Sequence, residues 1–219
     1  MAIISKLIII SIIAISFALA FLVFYLMSSL PQKQRKKQIE EITSQLINFV
    51  LFLWLAKILL NLPLFVRDPL AVLAYPSNSE AFYLAALFTG GLLFYKARKR
   101  KIAGGLLAHS FLQVFLAASF FYEFIQLIWR ENPFSFPYLP VYGLLLAVFH
   151  VLQGRVSRQS QISIVLGAGA AGFFAISLML PYLSMFGYIV EPWFLALVLA
   201  ACFGLLIKDP QDEPHSESN

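Results

Sequence analysis

Long apolar runs, separated by short polar or charged stretches, dominate the chain. A run of about 20 mostly apolar residues is long enough to cross a bilayer as a helix. The pattern predicts about seven such segments, at residues 7–27, 46–62, 81–95, 102–129, 134–153, 161–181 and 187–207. We therefore predict an all-α, polytopic transmembrane helix bundle in which residues 1–208 form a single membrane domain. Residues 209–219 are polar and are expected to be a disordered cytoplasmic tail.

The composition agrees with a membrane protein. Hydrophobic residues make up 60% of the chain and charged residues 12%, whereas soluble domains have about 45–50% and about 25%. The net charge of +5 does not indicate a nucleic-acid partner, because the basic residues lie in short stretches beside apolar segments. The single cysteine, Cys202, cannot form an internal disulfide, and no Cys/His cluster has metal-site spacing. We expect no cofactor.

The distribution of lysine and arginine predicts the orientation. Cytoplasmic loops carry an excess of these residues. One set of predicted loops contains Lys33, Arg35, Lys36, Lys37, Lys96, Arg98, Lys99, Arg100, Lys101, Arg155, Arg158 and Lys208. The opposite set contains only Lys6, Arg67 and Arg130. We therefore predict that the N-terminus is outside and the C-terminus inside a bacterial cytoplasmic membrane.

The first apolar segment has a second interpretation. Ala18-Leu19-Ala20 resembles the cleavage site of a signal peptide. The apolar run continues beyond Ala20, however, and the basic cluster follows the segment instead of preceding it. We expect this segment to remain as a span.

Two polar features interrupt the second and third segments. Lys57 lies within the second segment, with Asn61 about one helical turn away, and an ionisable residue inside a span is a functional candidate. Its stem could extend to the membrane interface, or its ammonium could face an internal anionic group. Further along, YPSNSEAF at 75–82 is either a simple turn between helices or part of a substrate site.

The fourth segment carries a series of polar residues. Glu123, Gln126 and Arg130 share one helix face, either as an interfacial Glu–Arg pair or as one wall of an outer cavity. His109 of this segment and His150 of the next are predicted at similar depth. Two facing histidines can ligate a b-type haem, or each can form a hydrogen bond to another helix, and both alternatives stay open.

Five stretches of the chain follow one another in an order known from one family. They are AKILLN at 56–61, RDPLAVLA at 67–74, KARKRK at 96–101, FPYLPVYGLLL at 136–146 and GAGAAGFFAIS at 167–177. Their order and topology resemble the prolipoprotein diacylglyceryl transferases of bacterial membranes. Those enzymes have seven spans with the N-terminus outside. They move a diacylglyceryl group from phosphatidylglycerol to the lipobox cysteine of a prolipoprotein.

The resemblance implies altered chemistry. Lys57 stands where the family tends to carry an arginine, Tyr83 where it has a histidine, and Gly172 where it has a catalytically important arginine. A glycine cannot replace a guanidinium beside a phosphate group. The resemblance therefore implies a divergent or catalytically silent relative that binds membrane phospholipid, such as phosphatidylglycerol, or a lipoprotein or other membrane protein. Whether it is an active transferase stays open.

The candidate residues for substrate or lipid binding are polar side chains in or beside the predicted spans: Lys57, Asn61, Arg67, Asn78, Glu80, Tyr83, Glu123, Arg130 and Tyr142. Two other functions stay open. One is a small solute transporter or channel. The other is a haem-binding membrane subunit that uses His109 and His150.

Overall fold

The computed structural model describes residues 2–74, 78–99, 103–197 and residue 200. Within these residues the α-helices are α1 (Ala2–Met27), α2 (Gln32–Leu60), α3 (Leu62–Arg67), α4 (Pro69–Ala74), α5 (Ser79–Arg98), α6 (Gly104–Arg130), α7 (Tyr138–Leu152) and α8 (Arg158–Met179). A 3-10 turn at Pro133–Ser135 precedes α7. Strands β1 (Leu183–Met185) and β2 (Tyr188–Val190) follow α8, and residues 192–197 are helical. The predicted helical class is confirmed, apart from this short hairpin.

Five helical stretches of the described chain are long and apolar enough to cross a membrane. They are Ile8–Met27, Gln32–Leu60, Gly104–Arg130, Pro133–Leu152 and Arg158–Met179. They correspond to the first, second, fourth, fifth and sixth predicted segments. Helix α5 covers the third but is not among the five. Most of the seventh segment, and with it Cys202 and the predicted tail, lies outside the described residues.

The first basic cluster is helical, although the sequence predicted a loop there. Helix α2 begins at Gln32 instead of residue 46, because the lysines, arginine, glutamines and glutamates of this stretch are strong helix formers. The Arg35 guanidinium donates hydrogen bonds to the carbonyl oxygens of Tyr25 and Leu30. It thereby satisfies a carbonyl group that the end of α1 leaves free. We call this side of the bundle the basic end and the other side the opposite end.

Helix α6 is the centre of the bundle. It packs against α1, α7 and α8, while α2 pairs with α5. Ala20 of α1 and Ala117 and Ala118 of α6 are buried at one of these interfaces, and such small side chains let helix backbones approach closely. Between α7 and α8, a Cβ atom on Gly172 would lie 2.6 Å from Cγ1 of Val141. Gly172 is therefore a position where α7 and α8 approach closely.

The β1–β2 hairpin enters the bundle from the opposite end. Its two-residue turn, Phe186–Gly187, has φ angles of 50° and 83°, as a type I′ hairpin turn requires. The Phe186 ring packs against Phe17 (5.4 Å between centroids), Phe115 (5.9 Å) and Tyr122 (5.2 Å). Because Phe17 and Phe115 lie well inside their helices, the turn reaches far into the bundle. The prediction that a seventh span begins at residue 187 is therefore wrong, and helix resumes at 192.

Candidate functional site

Lys57 lies on the buried face of α2, near the opposite end. Its side chain is only 7% exposed. Leu53 and Phe49 precede it by one and two turns, and both pack against the cluster formed by Phe82 of α5 and the β2 segment. The lysine stem therefore does not spread over the lipid-facing surface. Of the two interpretations of the sequence, an inward-facing cation fits this placement.

Asn61 and Arg67 lie just beyond Lys57. Asn61 ends α2, and its Nδ2 donates a hydrogen bond to the carbonyl oxygen of Lys57 (3.0 Å). Arg67 ends α3 and is exposed. Around it Val66 and Leu70 are each 77% exposed. The α3–α4 segment thus presents an apolar surface with one basic side chain beside the end of α2.

Asn78 and Glu80 form the start of α5. Asn78 Oδ1 accepts a hydrogen bond from the backbone N–H of Ala81 (3.0 Å), which caps the helix. Its Nδ2 donates to Glu80 Oε2 (3.4 Å). Glu80 is exposed in the first turn, where a negative charge complements the helix dipole. The second half of YPSNSEAF is thus a helix start, and residues 75–77 lie outside the described part.

Tyr83 connects α5 to the hairpin. Its hydroxyl donates to the carbonyl oxygen of Ile189 (3.2 Å) and accepts from the backbone N–H of Glu191 (2.9 Å). The ring stacks on Phe194, with 4.4 Å between centroids, and meets Trp193 edge-on. Both hydrogen-bonding roles of this phenol are therefore taken up by backbone groups of β2 and of the residue that follows it.

Tyr138 also forms a hydrogen bond with the hairpin backbone, on the other edge. Its hydroxyl accepts a hydrogen bond from the backbone N–H of Ser184 (2.9 Å). Met185 pairs with Tyr188 next to the turn, and Ser184 pairs with Ile189 one step further along. Hydrogen-bonded and non-hydrogen-bonded pairs alternate in antiparallel strands, so the backbone groups of Ser184 and Ile189 point away from the partner strand. A tyrosine hydroxyl therefore forms hydrogen bonds with the free backbone groups on each outer edge of the hairpin, where lipid chains offer no hydrogen bonds. The sequence prediction missed both Tyr138 and the hairpin.

Glu123 lies in a buried polar cluster against the β1 side of the hairpin. It is 4% exposed. The carboxyl group is close to Tyr138, Tyr142 and Ser135, and the Tyr138 and Tyr142 rings stack with 6.4 Å between centroids. On the next turn of α6, Gln126 donates to the Tyr122 hydroxyl (2.8 Å).

Arg130 does not join this cluster. It is exposed at the end of α6, and no salt bridge connects it with Glu123, although both residues are described. The interfacial Glu–Arg pair considered from the sequence is therefore absent. The hairpin separates the candidates into two groups: Lys57, Asn61, Asn78, Glu80 and Tyr83 on the β2 side, and Glu123 and Tyr142 on the β1 side.

The two histidines are hydrogen-bonded to glutamines of other helices. Gln161 Nε2 donates to the carbonyl oxygen of Phe149 (2.6 Å), so its Oε1 accepts from Nε2 of His109 (2.9 Å). His150 Nδ1 lies 2.8 Å from the carbonyl oxygen of Leu146, and its Nε2 lies 3.3 Å from Nε2 of Gln113. Haem ligation stays a prediction, and it would require Nε2 of each imidazole to leave its glutamine, or His109 to bind through Nδ1.

Fold and site together define a polytopic helical membrane protein with a hairpin inserted between its helices. No group of histidine, cysteine, aspartate or glutamate in the described residues has the arrangement of a metal site. No family model matches the chain, and neither does any curated protein or solved structure.

Proposed function

We propose that this protein is a non-catalytic relative of the prolipoprotein diacylglyceryl transferases that binds an anionic phospholipid. The observation that carries the proposal is the burial of Lys57 on a membrane-spanning helix. An ionisable side chain buried inside a span is a functional candidate, and the phosphodiester of phosphatidylglycerol is an anion that its ammonium would attract. A lipoprotein or another membrane protein would be the partner that the bound lipid recruits.

Access for a lipid is supported by the α3–α4 segment. Its large apolar side chains are exposed beside the end of α2, which suits a surface that acyl chains cover. The exposed Arg67 adds a basic side chain to this segment, beside the exposed Asp68. A phospholipid lying along this surface would bring its headgroup towards Lys57.

The absence of catalysis is supported by what surrounds the substituted positions. Both hydrogen-bonding roles of Tyr83, which stands where the family has a histidine, are used by backbone groups. Gly172, which stands where the family has an arginine, faces Val141 so closely that even a methyl group would overlap. Both positions thus take part in packing or in the hydrogen bonds of the hairpin, which supports a non-catalytic protein.

The finer topology belongs to the same proposal. We propose seven spans, with α5 as the third and the helix that starts at 192 as the seventh. The basic end, with its lysines and arginines, would lie on the cytoplasmic side of a bacterial membrane. Lys57 and the hairpin would then lie at the outer leaflet.

Lipid retention and complementation test the proposal together. The protein is purified in a mild detergent, and bound phospholipids are identified by native mass spectrometry. We expect wild-type protein to retain phosphatidylglycerol, Lys57→Gln to lose most of it, and Lys36→Gln to keep it, because Lys36 is exposed on the same helix. In a bacterial strain depleted of the transferase, wild-type protein is expected not to restore growth.

Two results would overturn parts of the proposal. Equal lipid retention by wild type and Lys57→Gln would remove Lys57 from the site. Rescue of the depleted strain that depends on Lys57 would show a working transferase.

A small transporter is the second candidate, and the hairpin favours it. Transporters bind their substrates where non-helical segments meet deep in the membrane, and the Phe186 turn packs near Tyr122, next to Glu123. Proteoliposomes with an internal pH-sensitive dye would test this. An ion or proton flux above empty vesicles that Glu123→Gln abolishes would favour transport over lipid binding.

A further inference from the structure

A cavity of about 220 Å³ with a mixed polar and apolar lining lies at the basic end. It is open on one side and is lined by four parts of the chain: the α1–α2 linker, the first turns of α6, the α7–α8 turn and the start of α8. Its polar lining consists of Ser28, Ser29, His109, Gln153, Arg158 and Gln161. It is separate from the Lys57 region, which lies at the other end of α2, more than six helical turns away.

The charge around this cavity is positive. Arg158 is partly buried in its wall and lies close enough to His109 to affect it electrostatically. No carboxylate among the described residues forms a salt bridge with Arg158. The two flanking stretches, 28–37 and 153–161, contain no aspartate or glutamate. An anion is the counter-charge that this wall lacks.

Hydrogen bonds within the protein hold the walls in place. Gln153 Nε2 donates to the Ser29 hydroxyl (2.9 Å), which ties the α7–α8 turn to the α1–α2 linker. The Gln161–His109 bond ties α8 to α6, and Arg35 fixes the linker through the Leu30 carbonyl oxygen. A ligand would therefore enter a site that is already formed, which lowers the ordering cost of binding.

Among the polar groups of the lining, two hydroxyls and one guanidinium are available as hydrogen-bond donors. The Ser28 oxygen accepts from the backbone N–H of Leu30 (3.3 Å), and the Ser29 oxygen accepts from Gln153. Each hydroxyl hydrogen remains able to donate, and the Arg158 guanidinium offers several more N–H groups in a planar fork. Oxyanions with several acceptor oxygens match such a lining, and phosphate is the common one at a membrane surface.

We infer that this cavity binds a phosphate-bearing anion, with Arg158 as its principal charged ligand and Ser28 and Ser29 as hydroxyl donors. The phosphate could belong to the headgroup of an anionic phospholipid or to a free phosphate in solution. The site goes beyond the proposed function, since it shares no residue with the Lys57 region and does not depend on it.

Hydrogen–deuterium exchange on the full-length protein tests this inference with a local readout. The protein is placed in nanodiscs of phosphatidylcholine, with or without inorganic phosphate, and in nanodiscs that also contain phosphatidylglycerol. We expect slower exchange of residues 28–31 and 153–161 with one of these anions. Protection by phosphatidylglycerol alone would identify a lipid headgroup, and protection by inorganic phosphate in phosphatidylcholine nanodiscs would identify a free phosphate.

Matched arginine variants make the test specific. Arg158→Gln is expected to weaken the protective anion roughly tenfold in a titration, and Arg158→Lys to have an intermediate effect. Arg155→Gln is the control, because Arg155 is exposed in the same turn and does not line the cavity. Absence of protection by both anions, or equal weakening by Arg155→Gln, would overturn the inference.

Lys57→Gln separates this site from the proposed function. The inference expects that variant to keep the protection at 28–31 and 153–161 even when it loses its lipid at the opposite end. Loss of this protection in Lys57→Gln would contradict two independent sites.

Discussion

The phenol of Tyr83 takes the place of a neighbouring strand along part of the hairpin edge. Tyr83→Phe keeps the ring contacts but leaves the N–H of Glu191 and the C=O of Ile189 without their partner. These hydrogen bonds lie at the exposed edge of the hairpin, and a typical hydrogen bond contributes about 0.5–1.5 kcal/mol. We therefore expect Tyr83→Phe to lower the free energy of unfolding by about 0.5–1.5 kcal/mol, measured by denaturant titration in detergent micelles.

Tyr95→Phe is the control for that measurement. Tyr95 lies on the same helix and is 51% exposed, and its ring is 4.6 Å from the Lys99 ammonium. Removing its hydroxyl should leave stability nearly unchanged. If the two variants lost equal stability, the hydrogen bonds of Tyr83 would not be what fastens the hairpin.

Gly172 offers a second prediction at the residue scale. Gly172→Ala would place a methyl group 2.6 Å from Cγ1 of Val141, and a β-branched side chain cannot turn away freely. We expect a loss of about 1–3 kcal/mol in the same unfolding measurement. Val141→Ala added to Gly172→Ala should recover part of this loss.

Gly167→Ala is the matched control on the same helix. A Cβ at Gly167 meets no atom within 4 Å, so the substitution should be neutral or should stabilise α8 by up to about 1 kcal/mol. A similar loss in both variants would mean that α7 and α8 do not touch at Gly172.

Several candidate residues could be located from the sequence, but their roles could not. Asn61 and Asn78 were singled out as polar residues at the edge of the membrane, and the structure uses both to bond helix ends. Asn78 with Glu80 two positions later was a readable helix-start signal. Lys57 was recognised as an intramembrane cation, but its direction depends on the packing of α2 against α5, which one sequence does not reveal.

The hairpin is the element that could not be predicted from the sequence. Its second half, GYIV at 187–190, is apolar enough to have been predicted as the beginning of a span. Strand pairing depends on a partner and on the tyrosines at its edges, whereas hydropathy records only composition. Proline at 181 and 192 and glycine at 187 were the available turn signals, and the apolar run outweighed them.

The turn itself can be tested against another glycine with a similar backbone. Gly187 (φ +83°) would bring a Cβ within 3.2 Å of the Tyr122 hydroxyl, whereas Gly154 (φ +78°) has open space. Alanine in this conformation costs about 1–2 kcal/mol at either site. We expect Gly187→Ala to lose more stability than Gly154→Ala because of the added crowding.

Hydrogen exchange separates the two substitutions further. Gly187→Ala should speed exchange across residues 183–191, where Tyr83 and Tyr138 hold the backbone. Gly154→Ala should leave that segment unchanged. Equal exchange at 183–191 in both variants would show that the hairpin does not depend on its turn.

For the whole molecule, length and hydropathy predicted where most helices lie, but not which helices are neighbours. Length and hydropathy are properties of a single segment and need no knowledge of its neighbours, and five predicted segments do correspond to long apolar helices. Helix α1 nevertheless packs on α6, and α2 on α5. In lipid an apolar face can meet either acyl chains or another helix, so periodicity does not identify the contact face. The pairing follows instead from small residues and buried polar groups whose partners are distant in sequence.

The orientation of the molecule decides which leaflet each proposed site meets. In the proposed orientation, which follows the positive-inside rule, the basic end lies in the cytoplasm, so the Arg158 cavity would face the inner leaflet, whose anionic lipids attract basic surfaces. To test this, Cys202 is replaced by serine and single cysteines are introduced as Glu80→Cys or Arg155→Cys, both at exposed positions. A membrane-impermeant maleimide should label Glu80→Cys in intact spheroplasts and Arg155→Cys only after permeabilisation. The reverse pattern would show that the bundle has the opposite orientation, with each site in the other leaflet. Labelling of both cysteines from outside would mean that the helices between them do not cross the membrane.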